Sequence, residues 1–147
     1  MILIAHNIRS LHNVGSILRS ADAFGVERVY LTGFTGAPPR AEISKTALGA
    51  EDRVVWRQVE DVHAVIAEVR AEGYRILALD NRPGAEPIGR VSGRVALILG
   101  NEVEGIDAEV IAQADRLVEI PLPGRKRSLN VSVATGIALF ALSRNGA

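Results

Sequence analysis

The run VALIL, residues 95–99, is apolar at every position and is followed at once by Gly100. A strand with apolar side chains on both faces belongs inside a sheet that is covered on both faces. The rest of the chain has the rhythm that such a sheet needs. MILIA opens it, and a helical segment HNVGSILRSADAFG follows, with Val14, Leu18 and Ala21 at helical spacing and Gly25 as its stop. RVYLTG reads as a second strand, and residues 33–50 as a Gly/Pro loop with a short helical piece near KTALG. RVVWRQV reads as a third strand. DVHAVIAEVRAEG is an amphipathic helix with a Val62, Val65, Ile66, Val69 stripe, ended by Gly73. YRILALD is a fourth strand, RPGAEPIGRVSGR a loop and VALILG the fifth strand. A short helix at 107–114, a sixth strand RLVEIPL and a closing helix from Asn130 to Ser143 complete the chain. Strands alternating with helices predict an α/β fold, a parallel sheet with helices on both faces, in one domain over residues 1–147. Ligands of such sheets bind beyond the carboxyl ends of the strands. The turns after MILIA, LALD, VALILG and VEIPL are therefore the places where a site is expected.

Composition narrows the chemistry. With no cysteine and three scattered histidines, His6, His12 and His63, neither thiolate chemistry nor a structural zinc site is expected. No apolar run reaches membrane-spanning length, and the opening MILIAHNIRS lacks the pattern of a signal peptide, so a cytoplasmic protein without membrane attachment is expected. The net charge is zero but unevenly spread. Residues 1–50 carry five Lys/Arg against three Asp/Glu, residues 51–119 eight against fourteen, and residues 120–147 four against none. Two basic ends around an acidic middle leave room for a local phosphate-binding face.

Three stretches carry polar residues at those turns. In HNIRSLHNVGSILRS, Asn13 stands where a helix N-cap is expected, and Gly15 lets a backbone or ligand come close. His6 and His12 flank this turn, within reach of an anion. Arg19 lies off the apolar stripe, either as a solvated arginine paired with Asp22 at i+3 or as a site residue. In VALILGNEVEGI, Asn101 and Glu102 enter a turn directly after the apolar strand, as turn formers or as ligand contacts. In IPLPGRKRSLNVSVATGIALFAL, a Pro/Gly loop carries Arg125, Lys126 and Arg127, and Ser128 and Asn130 can cap the final helix. That helix is apolar on several sides, which fits either a core position or a subunit interface. No G-x-G-x-x-G follows any strand and no phosphate-loop signature occurs, which argues against a nicotinamide-dependent enzyme.

Taken in order, N-x-G-x-x-x-R (Asn13 to Arg19) with the following ADAFGV, then LGNE-x-x-G (Leu99 to Gly105), then IPLPG-x-x-x-SLNVSVA (Ile120 to Ala134) resemble the three motifs of the SpoU/TrmH family of RNA 2'-O-methyltransferases, in the SPOUT superfamily. KTALGAE is also similar to family members, and the resemblance runs from Ile4 to Leu142. It implies a C-terminal deep trefoil knot and S-adenosylmethionine as methyl donor, with S-adenosylhomocysteine as product and no metal. It implies a homodimer through the helix Asn130–Ser143 and the first helix, and RNA as substrate, tRNA first, with rRNA as the alternative. By the same resemblance Arg19, Asn13, Glu102, Ser128 and Asn130 match the catalytic motif positions. Leu79, Gly100, Asn101, Ile120, Leu122, Ser128 and Leu129 match the donor-binding ones. Because the chain begins at its first strand and ends with its last helix, RNA is expected to be gripped by Arg9, Arg40, Lys45 and the Arg125, Lys126, Arg127 run. A binding factor without catalysis that kept the fold is the competing class, and retention of Arg19, Glu102, Ser128 and Asn130 together argues against it.

Overall fold

The computed structural model describes residues 1–143. Its elements follow as β1 (Ile2–His6), α1 (Leu11–Ala23), β2 (Arg28–Thr32), α2 (Ala41–Ala47), α3 (Ala50–Arg53), β3 (Trp56–Val59), α4 (Val62–Ala71), β4 (Arg75–Leu79), β5 (Glu86–Pro87), β6 (Val95–Leu99), α5 (Ala108–Ile111), β7 (Arg116–Glu119) and α6 (Val131–Ser143). The seven strands form one sheet in the order β3-β2-β1-β6-β4-β7-β5, and every pairing is parallel. The expected α/β class is therefore the class observed.

The apolar runs explain why the sheet has two covered faces. Along β1, Ile2 and Ile4 point into one cluster with Tyr30, Val65, Ile66, Val69 and Ile98, on the side of α4 and α5. Leu3 and Ala5 point the other way, into a cluster with Ile17, Leu18, Leu97, Leu99 and Leu139, on the side of α1, α2 and α6. The strand period of two sends alternate residues to opposite layers. Each fully buried Leu, Ile or Val contributes roughly 1.5–3 kcal/mol by leaving water. Asp61 caps α4 by accepting from the His63 amide, and Asn130 caps α6 by accepting from the Ser132 amide at 2.8 Å. No helix among the described residues is long and apolar enough to cross a membrane.

Several sequence expectations need correction. The N-cap of α1 is Ser10, whose hydroxyl accepts from the Asn13 amide at 3.1 Å; Asn13 lies inside the first turn. Gly15 makes room for backbone, not ligand. A Cβ there would lie 2.1 Å from Thr46 Oγ1 and 2.2 Å from Ile43 O, so only glycine lets α2 lie this close to α1. The third strand starts at Trp56, because residues 50–53 form a single helical turn, α3. Arg53 leaves that turn to bind Asp22 at 2.8 Å, so Asp22 is not the partner of Arg19. The loop 82–94 contains a seventh strand, β5, only two residues long. His6 is not free to meet an anion: it is buried, with Nδ1 2.9 Å from Thr32 Oγ1. Burial lowers its pKa, against the opposing pull of Asp107.

Candidate functional site

Strand order reverses around β1 and β6, and the polar turns gather beyond the carboxyl ends of β1, β4, β6 and β7. The turn after β6 is built around Asn101. Its main chain pairs with Gly105 in both directions, at 3.1 and 3.0 Å. Its Oδ1 accepts from the amides of Val103 and Glu104, both at 2.9 Å, and its Nδ2 donates to Asn7 O at 2.8 Å. Gly105 holds φ +72°, and a Cβ there would sit 2.5 Å from Asp80 Oδ2, so the turn lies flat against the end of β4. Asp80 secures that contact by accepting from the Ile106 amide at 3.0 Å.

This turn sets Glu102 against the entrance of α1. Its carboxylate accepts from the amides of Arg9 and Ser10, each at 2.9 Å, and from Asn13 Nδ2 at 3.1 Å. Burial pushes its pKa up, but the main-chain amides of Arg9, Ser10 and Glu102 itself, with the Asn13 side chain, outweigh burial and hold it below the usual carboxylate value. Glu102 is thus ionised at neutral pH, and its oxygens are engaged by the protein.

The loop from Ile120 to Asn130 closes the other side. Asn81 grips it, donating to Ile120 O at 3.1 Å and to Arg127 O at 3.4 Å while accepting from the Ile120 amide at 3.3 Å. From Pro121 to Leu129 that Arg127 carbonyl is the only main-chain group in a hydrogen bond among the described residues. Replacing Asn81 by alanine removes three tethers, two of them long and one of those exposed. The expected result is a stability loss of about 1–2 kcal/mol with faster amide exchange confined to residues 120–130. Unchanged exchange there would show that the loop does not depend on Asn81.

Two adjoining depressions result. The inner one, about 270 Å³, has an apolar floor of Leu79, Leu99, Ile120, Leu122 and Ala134, with Gly100, Asn101, Arg127, Ser128 and Leu129 around it. The outer one, about 570 Å³, is lined by Arg9, Ser10, Asn13 and Asn130. Glu102, Val103, Ser128, Leu129 and Val131 border both. The structure thus brings together Asn13, Glu102, Ser128, Asn130 and Arg9, and beside them Leu79, Gly100, Asn101, Ile120, Leu122 and Leu129.

Arg19 is not in this group. It lines a separate groove between α1 and α6 with Ser16, Ser20, Ala23, Phe24, Ser132 and Val133. It lies six positions after Asn13 on α1, about 9 Å of helix rise. Arg40 and Lys45 are exposed at either end of α2, and Arg125 and Lys126 are exposed on the loop. Sequence reasoning missed Asp80, Asn81 and Val103. The polar trio Asp-Asn-Arg directly after the apolar run of β4 was the available signal for the first two.

With this geometry in place, the similarities to known proteins acquire a physical meaning. The profile of the SpoU rRNA Methylase family matches residues 1–140. The chain is 35% identical over 145 residues to the 23S rRNA (guanosine-2'-O-)-methyltransferase RlmB of Xanthomonas axonopodis pv. citri, covering 98% of this chain and 58% of the relative. It therefore spans less than two thirds of the length of that curated relative. An AdoMet-bound rRNA methyltransferase from Sinorhizobium meliloti superposes with a TM-score of 0.92 at 30% identity, over 99% of this chain and 56% of that one. The TrmH/SpoU tRNA modifying enzyme of A. aeolicus superposes with a TM-score of 0.88 at 29% identity, over 98% of this chain and 74% of that one. The family profile spans β1, β6, β7 and most of α6, and so every turn that borders the two depressions: the chain belongs to the SpoU rRNA methylase family.

Proposed function

We propose that this chain moves a methyl group from S-adenosylmethionine to the 2'-hydroxyl of a ribose in structured RNA. The observation that carries this reading is the pair of depressions that share Glu102, Ser128 and Leu129. A two-substrate transfer needs two adjoining sites with one common wall. The inner site fits the donor: its floor is apolar, as a purine ring requires, and its rim is a loop whose main-chain groups are left for a ligand. Leu79, Gly100, Asn101, Ile120, Leu122, Ser128 and Leu129 would hold it. When bound, the donor supplies an electrophilic sulfonium methyl group; the new bond is oxygen to carbon, the broken one carbon to sulfur.

The protein's own groups position the acceptor. Glu102 holds Arg9, Ser10 and Asn13 at the mouth of the outer site. Ser128 and Asn130 line its other wall. An arginine keeps its proton, so Arg19 acts as a cation that orients ribose or phosphate, and the proton of the hydroxyl leaves through phosphate or water.

A homodimer belongs to the same reading. Val133, Ile137 and Phe140 expose 51%, 41% and 53% of their surface on α6, an apolar face beside the groove that holds Arg19. A second copy on α6 and α1 would cover that face and bring Arg19 to a two-chain site. The trefoil threading of the C-terminal segment is also part of the proposal, supported by the Asn81 tether and by the return of α6 onto α1. We place the activity in the cytoplasm.

For the RNA itself, the resemblance of the motifs favours tRNA. The curated relative described above is named for guanosine in 23S rRNA, which gives rRNA equal standing. Labelled methyl transfer into bulk tRNA and bulk rRNA, followed by nucleoside analysis, tests the proposal. Label in 2'-O-methyl nucleosides is expected; label on bases, or in neither RNA, contradicts it. Changing Arg125 and Lys126, which line neither depression, to glutamate is expected to weaken RNA affinity about tenfold, since two exposed loop charges are reversed, while S-adenosylhomocysteine affinity stays within a few-fold. Equal RNA affinity would remove the loop from the RNA surface.

A further inference from the structure

Phe34 follows β2 and exposes 62% of its surface. Single exposed apolar residues are ordinary on surfaces, but this one sits on a segment fixed from many sides. The Phe34 amide donates to Asn7 Oδ1 at 3.1 Å, and the Gly33 amide donates to Glu60 O at 2.9 Å. Thr35 is fully buried: its hydroxyl donates to Ala5 O at 3.0 Å and accepts from the Ile8 amide at 3.0 Å. Its carbonyl accepts from Gln58 Nε2 at 3.0 Å. The ring is thus held out by a rigid turn.

That turn is mechanically joined to the site. Asn7, itself at φ +56°, takes the Phe34 amide on its side chain and Asn101 Nδ2 on its carbonyl at 2.8 Å. The turn carrying Phe34 and the turn carrying Glu102 hang from one residue. Arg9, two residues after Asn7, is exposed and lines the outer depression. A rigid exposed ring joined through Asn7 to the turn that walls a polar, cation-bearing depression has the make-up of a stacking platform for nucleic-acid bases.

We propose that Phe34 stacks on a base of the RNA substrate, close to the ribose that enters the outer depression. This rests on the reading of the chain as an RNA methyltransferase and adds a determinant of which nucleotide is presented. Phe34→Ala is expected to weaken binding of bulk tRNA or rRNA about tenfold, with S-adenosylhomocysteine affinity and self-association unchanged. Phe34→Tyr is expected to keep wild-type affinity. In Phe34→Trp the new indole should be quenched by RNA and not by polyphosphate, which offers charge without bases. The single native tryptophan, Trp56, measured in the wild type, serves as the blank. Wild-type RNA affinity in Phe34→Ala, equal quenching by polyphosphate, or weakened self-association of the alanine variant would each overturn the proposal. A wild-type protein that binds neither RNA would overturn the substrate reading, and this inference with it.

Discussion

Replacing Arg19 by alanine is expected to lower methyl transfer about 10²–10³-fold, the usual cost of losing one preorganised charge at a developing oxyanion. Lysine is expected to restore only part of it, because an ammonium cannot reproduce the planar fork of guanidinium. Donor affinity should not change, since Arg19 lies in the α1–α6 groove away from the apolar floor. Structural side effects should be small: the side chain is exposed, and among the described residues it makes no hydrogen bond or ion pair. Nearly full transfer by the lysine variant would show that the fork is unused. Loss of donor affinity would show that Arg19 reaches the inner depression after all.

Glu102→Ala is expected to damage fold and site together. Its carboxylate takes two main-chain amides and one side-chain amide that would otherwise be left without acceptors. Hydrogen bonds to a charged acceptor contribute about 1.5–3 kcal/mol each, and the half-buried setting reduces their sum. A loss of about 2–4 kcal/mol in denaturant unfolding follows. The pH dependence has a definite sign. The folded carboxyl has a lowered pKa, so the contribution of Glu102 is present above the unfolded value, about 4.3, and fades as pH falls through the lower folded value. Wild-type and Glu102→Ala stabilities should therefore converge on acidification. A difference that stays constant down to pH 2 would mean that charge on Glu102 is not what holds the entrance of α1.

The layers of this fold were legible because they rest on periodicity. VALIL and MILIA had to be covered on both faces, and Val62, Val65, Ile66 and Val69 announced the helix that covers one of them. Local competition was less visible. Asn13 looked like a cap, yet Ser10, three residues earlier, has the oxygen that reaches the Asn13 amide, and that frees the Asn13 side chain for Glu102. Arg53 read as the start of the third strand, but Gly49 at φ +91° and the acidic Glu51 and Asp52 favour a helical turn over residues 50–53. Among site residues, those in motifs could be named in advance. Asn81 was signalled only as one of three polar residues after β4; its role, to tie a loop 39 residues away, is a long-range contact that no local pattern encodes. Arg19 shows the converse: its motif singled it out, while only the structure places it apart from Glu102.

Calorimetric titration with S-adenosylhomocysteine, with NADH as control, reads out the donor site with no need of the RNA or of turnover. Micromolar binding is expected, absent with NADH and abolished when Leu122, on the floor of the inner depression, is changed to arginine. Equal binding of both compounds, or donor-product binding that survives Leu122→Arg, would contradict the assignment of the cleft between Asn101 and the 120–130 loop as the donor site.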